Sequence, residues 1–553
     1  MSPPRLDFLQ NVMEDLILHS LDHEPLSSPP RTLLPLMLTC RHFHNLLCPT
    51  NNPHLYRRIF YRKFDSSAIA RRFPPSCIVS SRFHPELERR FLALRCIKLG
   101  DIHNPQLQKA FLVAFIMLLE HDALNHRHLV DVGLPALLDK YVAERLHRGL
   151  NVWPIEDTCN VLAVALFWHM TSQDALDGES IDSRNKVMDI LLPLSFAWFR
   201  YSFPEQGFDP LFFINGISST PRLPPPTHSP VHPPPMTVPI DYMGHAFDLR
   251  LPAITLSASV AYFAQLDAFP LVPPPYDLPP REDGGGLTAE EIKRYNGSFR
   301  TRPVPRDLGS LDSLSTCHDW DWLRAVAGDP FMSEPIRRYT PGILTGNWRG
   351  TELAPYESDM TRFMTGDAGP ADFTGQSRRP VSFGLEEHVR YANPRSCLAG
   401  DEWDDPCHIP LSPPTSWTRK EDGIEVFDER SSAKVFYKTL NRESPGEEPE
   451  NVEDDSELGA ASTTADQEIV DVILSGKSEL DLQPAWVYWG RVRVSDGLVV
   501  LIRLPNEQGI RRLPRYSIYV GYVLSSQNLV GKWKYCFPGA QWEGTWCLCK
   551  AEE

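Results

Sequence analysis

The chain is short of basic residues. Its 553 residues include 55 Lys and Arg against 71 Asp and Glu, which gives a formal net charge of −16. Binding to the phosphate backbone of nucleic acid depends on clustered basic side chains, so we expect no nucleic-acid partner. Long hydrophobic runs are also missing. The longest, residues 110–119, covers about half of the ~20 residues that a membrane-spanning helix needs, and we expect no membrane partner.

A secretory signal is missing too, because residues 1–7 run through two prolines into an amphipathic segment. The 11 cysteines are an odd number, whereas the disulfide framework of a secreted protein usually has an even one. These features predict free thiols in a reducing compartment, cytoplasmic and/or nuclear.

Common enzyme motifs are absent as well. The chain has no Gly-rich phosphate loop followed by Lys and Ser or Thr, no His-Glu-x-x-His and no Gly-x-Ser-x-Gly. The Cys-His pair at 407–408 and the Cys-x-Cys at 547–549 lack a second pair at zinc spacing. The Glu-Glu-His run at 386–388 is typical of an ordinary surface strand or loop. We therefore predict that the protein is not an enzyme and needs no cofactor or metal.

What is present is enough apolar sequence for several cores. Hydrophobic residues make up 42% of the chain and aromatic residues 10%, which suits roughly three or four domains of ordinary size. Residues 5–65 contain short amphipathic segments with a polar, proline-containing break at 24–31. Residues 85–203 show the strongest helical periodicity. We predict a small helical unit over 5–65 and a helical domain over 85–203 that packs behind it.

Prolines are concentrated in the middle of the chain. The 52 prolines exceed the ordinary frequency of about 5%, and several form runs of three between residues 204 and 335. Polyproline and Gly-rich runs are typical of linkers. We predict that 204–335 is a Pro-rich irregular segment, interrupted by a short helical island at 248–267.

The last part, residues 336–550, changes to β-branched and aromatic runs separated by turn residues. An Asp-Gly turn at 496–497 predicts one hairpin, and Ser-Ser-Gln-Asn at 525–528 predicts another. An acidic insertion at 441–466 has too little apolar content to fold. The predicted fold class is α+β, with helices first and a C-terminal antiparallel β-barrel that carries a disordered insertion.

The order of motifs in residues 5–65 is the most specific feature. An amphipathic helix over 9–21 is followed by a Leu-rich helix, then by Thr-Cys-Arg-His-Phe at 39–43 and Pro-His-Leu-Tyr at 53–56. Helices this short are not stable alone, and a unit this small is a marginal domain. Their apolar faces need a neighbour, partly the later helices and partly a partner protein, unless they form only the core of a helical domain.

This order resembles the F-box, a three-helix module with a Leu-Pro opening, a Val-Cys-Arg-x-Phe centre and a Pro-x-Leu-Trp close. The chain has Gln10, Thr39 and Tyr56 where Pro, Val and Trp are usual. The resemblance implies binding to a Skp-type adaptor and, through it, to the cullin and RING subunits of a ubiquitin ligase. The adaptor contacts that it implies are Leu9, Met13, Leu16, Leu36, Leu38, Cys40, Phe43, Leu55 and Tyr56.

Gly-x-Trp occurs three times in the β-rich part, at 346–348, 531–533 and 544–546. The motif suits tightly curled strands with an aromatic filling a barrel end, although ordinary core packing also accounts for it. It is similar to the first strand of lipocalin-like barrels. Segments 340–350 and 489–498 resemble the C-terminal β-barrel of a large group of fungal F-box proteins, in which the barrel is thought to recruit the substrate.

Aromatic and basic side chains of this barrel are the candidates for substrate binding. Arginines that face inward favour a negatively charged peptide end or phosphate as ligand. Arginines that alternate with valines also mark the solvent face of a half-exposed hairpin. The candidates are Trp348, Arg349, Trp489, Arg491, Arg493, Arg503 and Trp533.

The leading hypothesis is a substrate-recognition subunit of an SCF-type ubiquitin ligase, which holds an unknown protein substrate near the ubiquitin-loaded enzyme. The alternative is a ligand-binding barrel for a small apolar molecule, joined to an F-box with a ligase-independent role. A third hypothesis, hydrolysis in the barrel, requires carboxylates or a Cys/His pair that converge inside it.

Overall fold

The computed structural model describes residues 5–146, 152–198, 200–202, 236–269, 288, 290, 313–326, 329, 340–356, 359, 362, 369–370, 376–392, 415–428, 433–440, 468–478, 486–505, 516–537 and 540–551. It has an N-terminal helical region and a C-terminal closed antiparallel β-barrel of eight strands. The predicted α+β class is confirmed. The acidic insertion 441–466 and the runs of three prolines lie outside the described residues.

The helical region begins with short helices separated where the sequence predicts breaks. The segment between the first two helices contains the proline-rich break, and Asn52 caps the fourth helix by accepting the N–H of Leu55 at 3.2 Å. These five helices are α1 (Arg5–Leu21), α2 (Leu33–Thr39), α3 (Arg41–Leu47), α4 (Pro53–Lys63) and α5 (Ser67–Arg72).

The helical layer that was predicted over 85–203 follows. Its helix α7 is almost entirely buried and packs between neighbours of the same layer. The helices are α6 (Phe83–Lys98), α7 (Leu107–Leu119), α8 (Leu124–Asp131), α9 (Leu134–Tyr141), α10 (Thr158–Met170), α11 (Gln173–Gly178) and α12 (Ile181–Phe196).

The structure corrects the interpretation of 204–335 as an irregular spacer. Its described residues form a hairpin of β1 (Thr237–Tyr242) and β2 (His245–Arg250), followed by helices α13 (Ile254–Leu266) and α14 (Asp319–Val326). All 13 residues of α13 are buried. The helix packs on α10 and α12 on one side and on the barrel on the other. It is therefore the centre of the interface between the two halves, and it confirms the predicted helical island.

The barrel is an up-and-down meander in which each strand pairs with the next one in the barrel. The last strand pairs with the first and closes it. Both predicted hairpins are confirmed, with Gly497 at φ +75° in the Asp-Gly turn. The strands are β3 (Gly346–Pro355), β4 (Gln376–Ala392), β8 (Glu468–Ser478), β9 (Trp486–Val492), β10 (Val499–Pro505), β11 (Tyr516–Leu524), β12 (Asn528–Phe537) and β13 (Ala540–Lys550).

A small sheet lies on the outside of the barrel. It consists of β5 (Thr415–Arg419), β6 (Gly423–Asp428) and β7 (Ala433–Thr439) and branches from β4. Trp417 of this sheet packs against Trp489 of β9, with ring centroids 4.4 Å apart. The sheet therefore covers part of the outer face of the barrel.

Two of the Gly-x-Trp motifs interlock inside the barrel. On β12 and β13, Gly531 lies opposite Trp546 and Gly544 lies opposite Trp533. A Cβ atom on Gly544 would lie 2.6 Å from Nε1 of Trp533, so the absence of a side chain leaves space for the indole. Trp348 of the third motif is fully buried in the same interior cluster. All three tryptophans of the motifs therefore lie in the interior of the barrel.

Candidate functional site

The first two helices carry large aliphatic side chains that the chain does not cover. On α1, Val12 is 48% exposed and Leu16 is 54% exposed; on α2, Leu34 is 61% exposed and Leu38 is 74% exposed. Each pair is spaced i, i+4, so its two members lie on one face of their helix. We call these four residues, one pair on each helix, the apolar helix face.

A buried carboxylate holds α1 in place behind this face. Glu14 is 6% exposed, and it accepts the amide N–H of Asn52 at 2.9 Å and the guanidinium N–H of Arg58 at 3.0 Å. Near the far end of α1, the hydroxyls of Ser20 and Thr32 lie 2.7 Å apart. These contacts fix α1 against α4 and next to the start of α2, while the outward side chains remain uncovered.

The predicted adaptor contacts differ in their exposure. Leu16, Leu38 and Cys40 are exposed, whereas Met13, Leu36 and Phe43 are half-buried. The side chain of Leu9 lies outside the described residues. Sequence reasoning missed Val12 and Leu34, which the i, i+4 spacing from Leu16 and Leu38 could have found.

Leu55 and Tyr56 differ from the other predicted contacts, because they belong to the chain's own core. They are 0% and 4% exposed, and the Tyr56 hydroxyl donates to the carbonyl of Leu47 at 2.9 Å. They support the helices from beneath and do not lie on the surface that a partner would meet. A groove of about 490 Å³ is lined by Leu33, Tyr56 and Phe91 among others, beside the place where α4 packs on α6.

Helix α14 joins the helical region to the barrel. Asp319 at its start accepts hydrogen bonds from Arg71 at 2.9 Å and from Arg72 at 2.6 Å, and Arg72 is fully buried. One residue later, Trp320 packs into the cluster inside the barrel. The carboxylate of Asp321 accepts the backbone N–H of Ser525 in the β11–β12 turn at 3.0 Å. Helix α14 therefore contacts both α5 and the barrel, in addition to the interface that α13 forms.

Three histidines meet beside this helix. The Nε2 atoms of His318 and His121 are 3.4 Å apart, and Nδ1 of His318 lies 3.2 Å from Asp321. The ring of His169 lies 5.3 Å from that of His318. Burial lowers the pKa of His121 and of His169 to about 3. Burial opposes protonation of His318 as well, but Cys317 and Asp321 raise its pKa to about 9. The pKa is thus raised in His318 and lowered in the two histidines on either side of it.

The predicted substrate-binding residues are not brought together. Trp348, Trp533 and Arg503 lie inside the barrel, whereas Arg349, Trp489, Arg491 and Arg493 lie on or beyond its outer face. Arg491 is 4% exposed, and its Nε donates to Asp471 at 2.6 Å. Its expected place on a solvent-exposed face is therefore wrong, because the β5–β7 sheet covers it: the Tyr437 hydroxyl of that sheet donates to the same carboxylate at 2.7 Å.

Arg503 is the one arginine of the four candidates that points inward. Its Nη1 lies 3.6 Å from Glu352, and its Nη2 donates to the hydroxyl of Ser517 at 3.2 Å. The hydroxyl of Tyr519 donates to the same Glu352 at 2.7 Å. The guanidinium carbon lies 4.8 Å from the ring centre of Trp486. These groups form an interior polar cluster towards the end of the barrel opposite α14.

The Glu-Glu-His run on β4 is not on an ordinary surface strand. Glu387 is 0% exposed and His388 is 1% exposed. Glu387 accepts the backbone N–H groups of Gly342 and Thr345, both at 2.8 Å, and so closes the barrel end before β3. Burial lowers the pKa of His388 to about 4, and its ring nitrogens hydrogen-bond the hydroxyls of Thr439 and Ser475. Glu387 and His388 therefore hold neighbouring segments of the barrel together.

Comparison with protein-family models, with curated proteins and with solved structures finds no match to this chain. Among the residues that the structure describes, no group of three His, Cys, Asp or Glu side chains is arranged to hold a metal ion. None of the described helices is long and apolar enough to cross a membrane.

Proposed function

We propose that the protein is an F-box substrate receptor: the apolar helix face binds a Skp-type adaptor, and the barrel, a lipocalin-like one, presents a protein target to the ligase. The observation that carries the proposal is the exposure of Val12, Leu16, Leu34 and Leu38 in a unit whose motif order resembles the F-box. Neither half needs a catalytic group of its own, because a receptor acts by raising the local concentration of the target.

The energetics of the face support a protein partner. Fully burying an exposed large aliphatic side chain contributes about 1.5–3 kcal/mol. Because these four are already partly covered, each contributes only a part of that amount, and together they supply part of the energy of an interface. Helix-in-groove interfaces draw their energy from a few such anchors. The buried Glu14 fixes α1 before a partner arrives, which lowers the entropic cost of binding.

The junction at α14 supports the receptor role of the barrel. A receptor must hold its target at a defined distance from the adaptor, and a flexible connection would lose that geometry. Asp319 binds two arginines of α5, while Trp320 lies in the barrel interior. Because these two contacts are adjacent in one short helix, movement of the barrel relative to the first five helices would break them.

The test is binding of the purified full-length chain to a Skp-type adaptor, measured by pull-down and by calorimetry. The variant is Leu34→Asp with Leu38→Asp, two exposed positions whose change leaves the core intact. The control is Ile181→Asp, which is 66% exposed on α12. We expect binding by the wild type and the control and at least a hundredfold loss in the double variant. No binding by a folded wild type, or equal binding by the double variant, contradicts the proposal.

A further inference from the structure

We propose that the exposed side of helix α6 is an interface for a second copy of this chain, so that the protein forms a two-fold symmetric dimer. The residues that carry this proposal are different from those of the apolar helix face on α1 and α2. The proposal is tested without an adaptor, so its outcome does not depend on the proposed ligase role.

Helix α6 packs on α4 and α7 but leaves one stripe of its side chains uncovered. Leu92 is 65% exposed and Leu99 is 67% exposed, and the exposed Glu88 and Arg95 alternate with them. The four residues are spaced i, i+4, i+7 and i+11, so they lie along one side of the helix. We call them the α6 stripe.

The groove of about 490 Å³ extends the apolar surface of this stripe, because three of the four stripe residues also line it. Its lining includes the buried side chains of Tyr56, Ile59 and Leu94. Pro29 and Pro30 line it from the segment between α1 and α2. A single exposed leucine is ordinary on a protein surface. Two exposed leucines beside an apolar groove form a larger apolar surface, of the kind that marks protein interfaces.

The charges of the α6 stripe have no partners in the chain itself. None of the positions three or four residues from Glu88 holds Lys or Arg, and none of those around Arg95 holds Asp or Glu. Lys98 adds a second exposed positive charge one turn after Arg95. Among the residues that the structure describes, these three charges form no ion pair, whereas the buried Glu86 of the same helix pairs with neighbouring arginines. The stripe is therefore negative at its start and positive at its end.

This charge pattern is complementary to itself when two copies of α6 lie antiparallel. The midpoint of positions 88 and 95 falls between Phe91 and Leu92, so a two-fold axis there places Glu88 of each copy opposite Arg95 of the other. Both opposite-charge pairs then form at once, and the two Leu92 side chains meet near the centre. Two-fold dimers are the commonest soluble oligomers, and their interfaces require a self-complementary surface of this kind. Parallel pairing in register would place like charges opposite each other, which is unfavourable.

The apolar side chains and the charges have different roles in this dimer. Leu92, Leu99 and the groove supply the apolar area that is removed from water on association. Exposed ion pairs contribute little affinity of their own, but like charges that face each other oppose association strongly. Reversal of one charge should therefore separate the copies, and restored complementarity should bring them together again.

Sedimentation velocity of the purified full-length chain tests the proposal at concentrations up to about 100 μM, where a dimer with a micromolar dissociation constant is formed. We expect the wild type to dimerise. The dissociation constant should rise at least about tenfold in Glu88→Arg and in Arg95→Glu, because each variant places like charges opposite each other twice. The matched control is Lys109→Glu, a charge reversal at an exposed position on α7, and it should leave the dimer unchanged.

A mixture of the two variants tests the antiparallel arrangement itself. Glu88→Arg has positive charges at both positions, and Arg95→Glu has negative charges at both. An equimolar mixture should therefore form a heterodimer, although neither variant dimerises alone. The double variant, which exchanges the two charges, should dimerise like the wild type. A dimer formed through another surface would not respond to this exchange.

Three outcomes overturn the proposal. They are a monomeric wild type, a dimer that both single variants leave unchanged, and a mixture of the folded variants that stays monomeric. Circular dichroism shows whether each variant is folded. If a single variant does not fold, Leu92→Asp decides the matter, because it places a charge at the centre of the interface and should also separate the copies.

Discussion

Helices α13 and α1 both carry many apolar side chains, but they differ in what covers them. All 13 residues of α13 are buried between the helical layer and the barrel. On α1, Ile17, Leu18 and Leu21 are buried, whereas Leu16 on the other side is 54% exposed. The chain thus completes the surroundings of α13 and leaves one face of α1 uncovered. Apolar content alone does not distinguish these helices. They differ in how much of their surface is covered by the rest of the chain.

The largest expected effect is the difference between truncating a buried side chain of α13 and truncating an exposed side chain of α1. Phe263→Ala in α13 removes a fully buried ring and should lower the free energy of unfolding by about 3–5 kcal/mol. Leu16→Ala in α1 should change it by less than about 0.5 kcal/mol. Denaturant unfolding followed by circular dichroism measures both. A loss of similar size in the two variants would contradict the conclusion that Phe263 of α13 is buried and Leu16 of α1 is exposed.

The next effect concerns the junction. Asp319→Ala leaves the buried Arg72 without its carboxylate and should cost about 3 kcal/mol. The control Asp22→Ala breaks an exposed ion pair with Arg62. The side chain of Arg62 is 55% exposed and that of Asp22 is 46% exposed, so the loss should be at most about 0.5 kcal/mol. Thermal unfolding compares the two. If the first variant unfolds like the control, the ion pairs of Asp319 do not stabilise the junction.

A smaller effect is expected from glycine in the barrel. Gly544→Ala places a Cβ atom 2.0 Å from the carbonyl oxygen of Leu353 and close to Trp533, so the strand must shift at a cost of about 1–3 kcal/mol. Gly178→Ala at the end of α11 meets no atom within 4 Å and should be neutral or slightly stabilising. Denaturant unfolding of both variants checks this, and equal stability would show that the barrel has room at the Gly-x-Trp motif.

A further expected effect is a dependence of stability on pH at the histidine cluster. His318 has a folded-state pKa of about 9, above its usual value of 6.5, so its contribution is complete below pH 6.5 and is lost as the pH rises to 9. His121 and His169 have pKa values of about 3, so their contribution is lost as the pH falls from 6.5 towards 3. Stability should therefore decline in both directions from about pH 6.5.

The variant His318→Gln tests the alkaline side of this dependence. It should reduce the loss of stability between pH 6.5 and 9, while the loss at acid pH remains. Free energies of unfolding at a series of pH values measure it. An unchanged alkaline slope would show that His318 is not protonated in the folded protein.

Local patterns in the sequence were sufficient for much of the fold. The Asp-Gly turn, the alternation of strands and the Gly-x-Trp spacing predict the hairpins and the barrel interior, because each depends on residues that are close in sequence. The inward direction of Arg503 follows from its alternation with Val499 and Leu501 on one strand.

The burial of side chains by segments that are distant in sequence could not be predicted in the same way. Helix α13 is buried on every side and so has no polar stripe that would give helical periodicity, and the prolines around it suggest a linker. Arg491 follows the alternation of an exposed hairpin, yet the β5–β7 sheet, which precedes it in the chain, covers it. Leu55 and Tyr56 match a surface motif but are covered by the chain's own helices.

Hydrogen exchange of the full-length chain with and without a Skp-type adaptor compares the cover of α1 with that of α13 in one experiment. We expect slower exchange of amides in α1 and α2 when the adaptor is present, and no change in α13 or in the barrel strands. Slowing confined to the barrel, or no slowing at an adaptor concentration that saturates the pull-down, would contradict it.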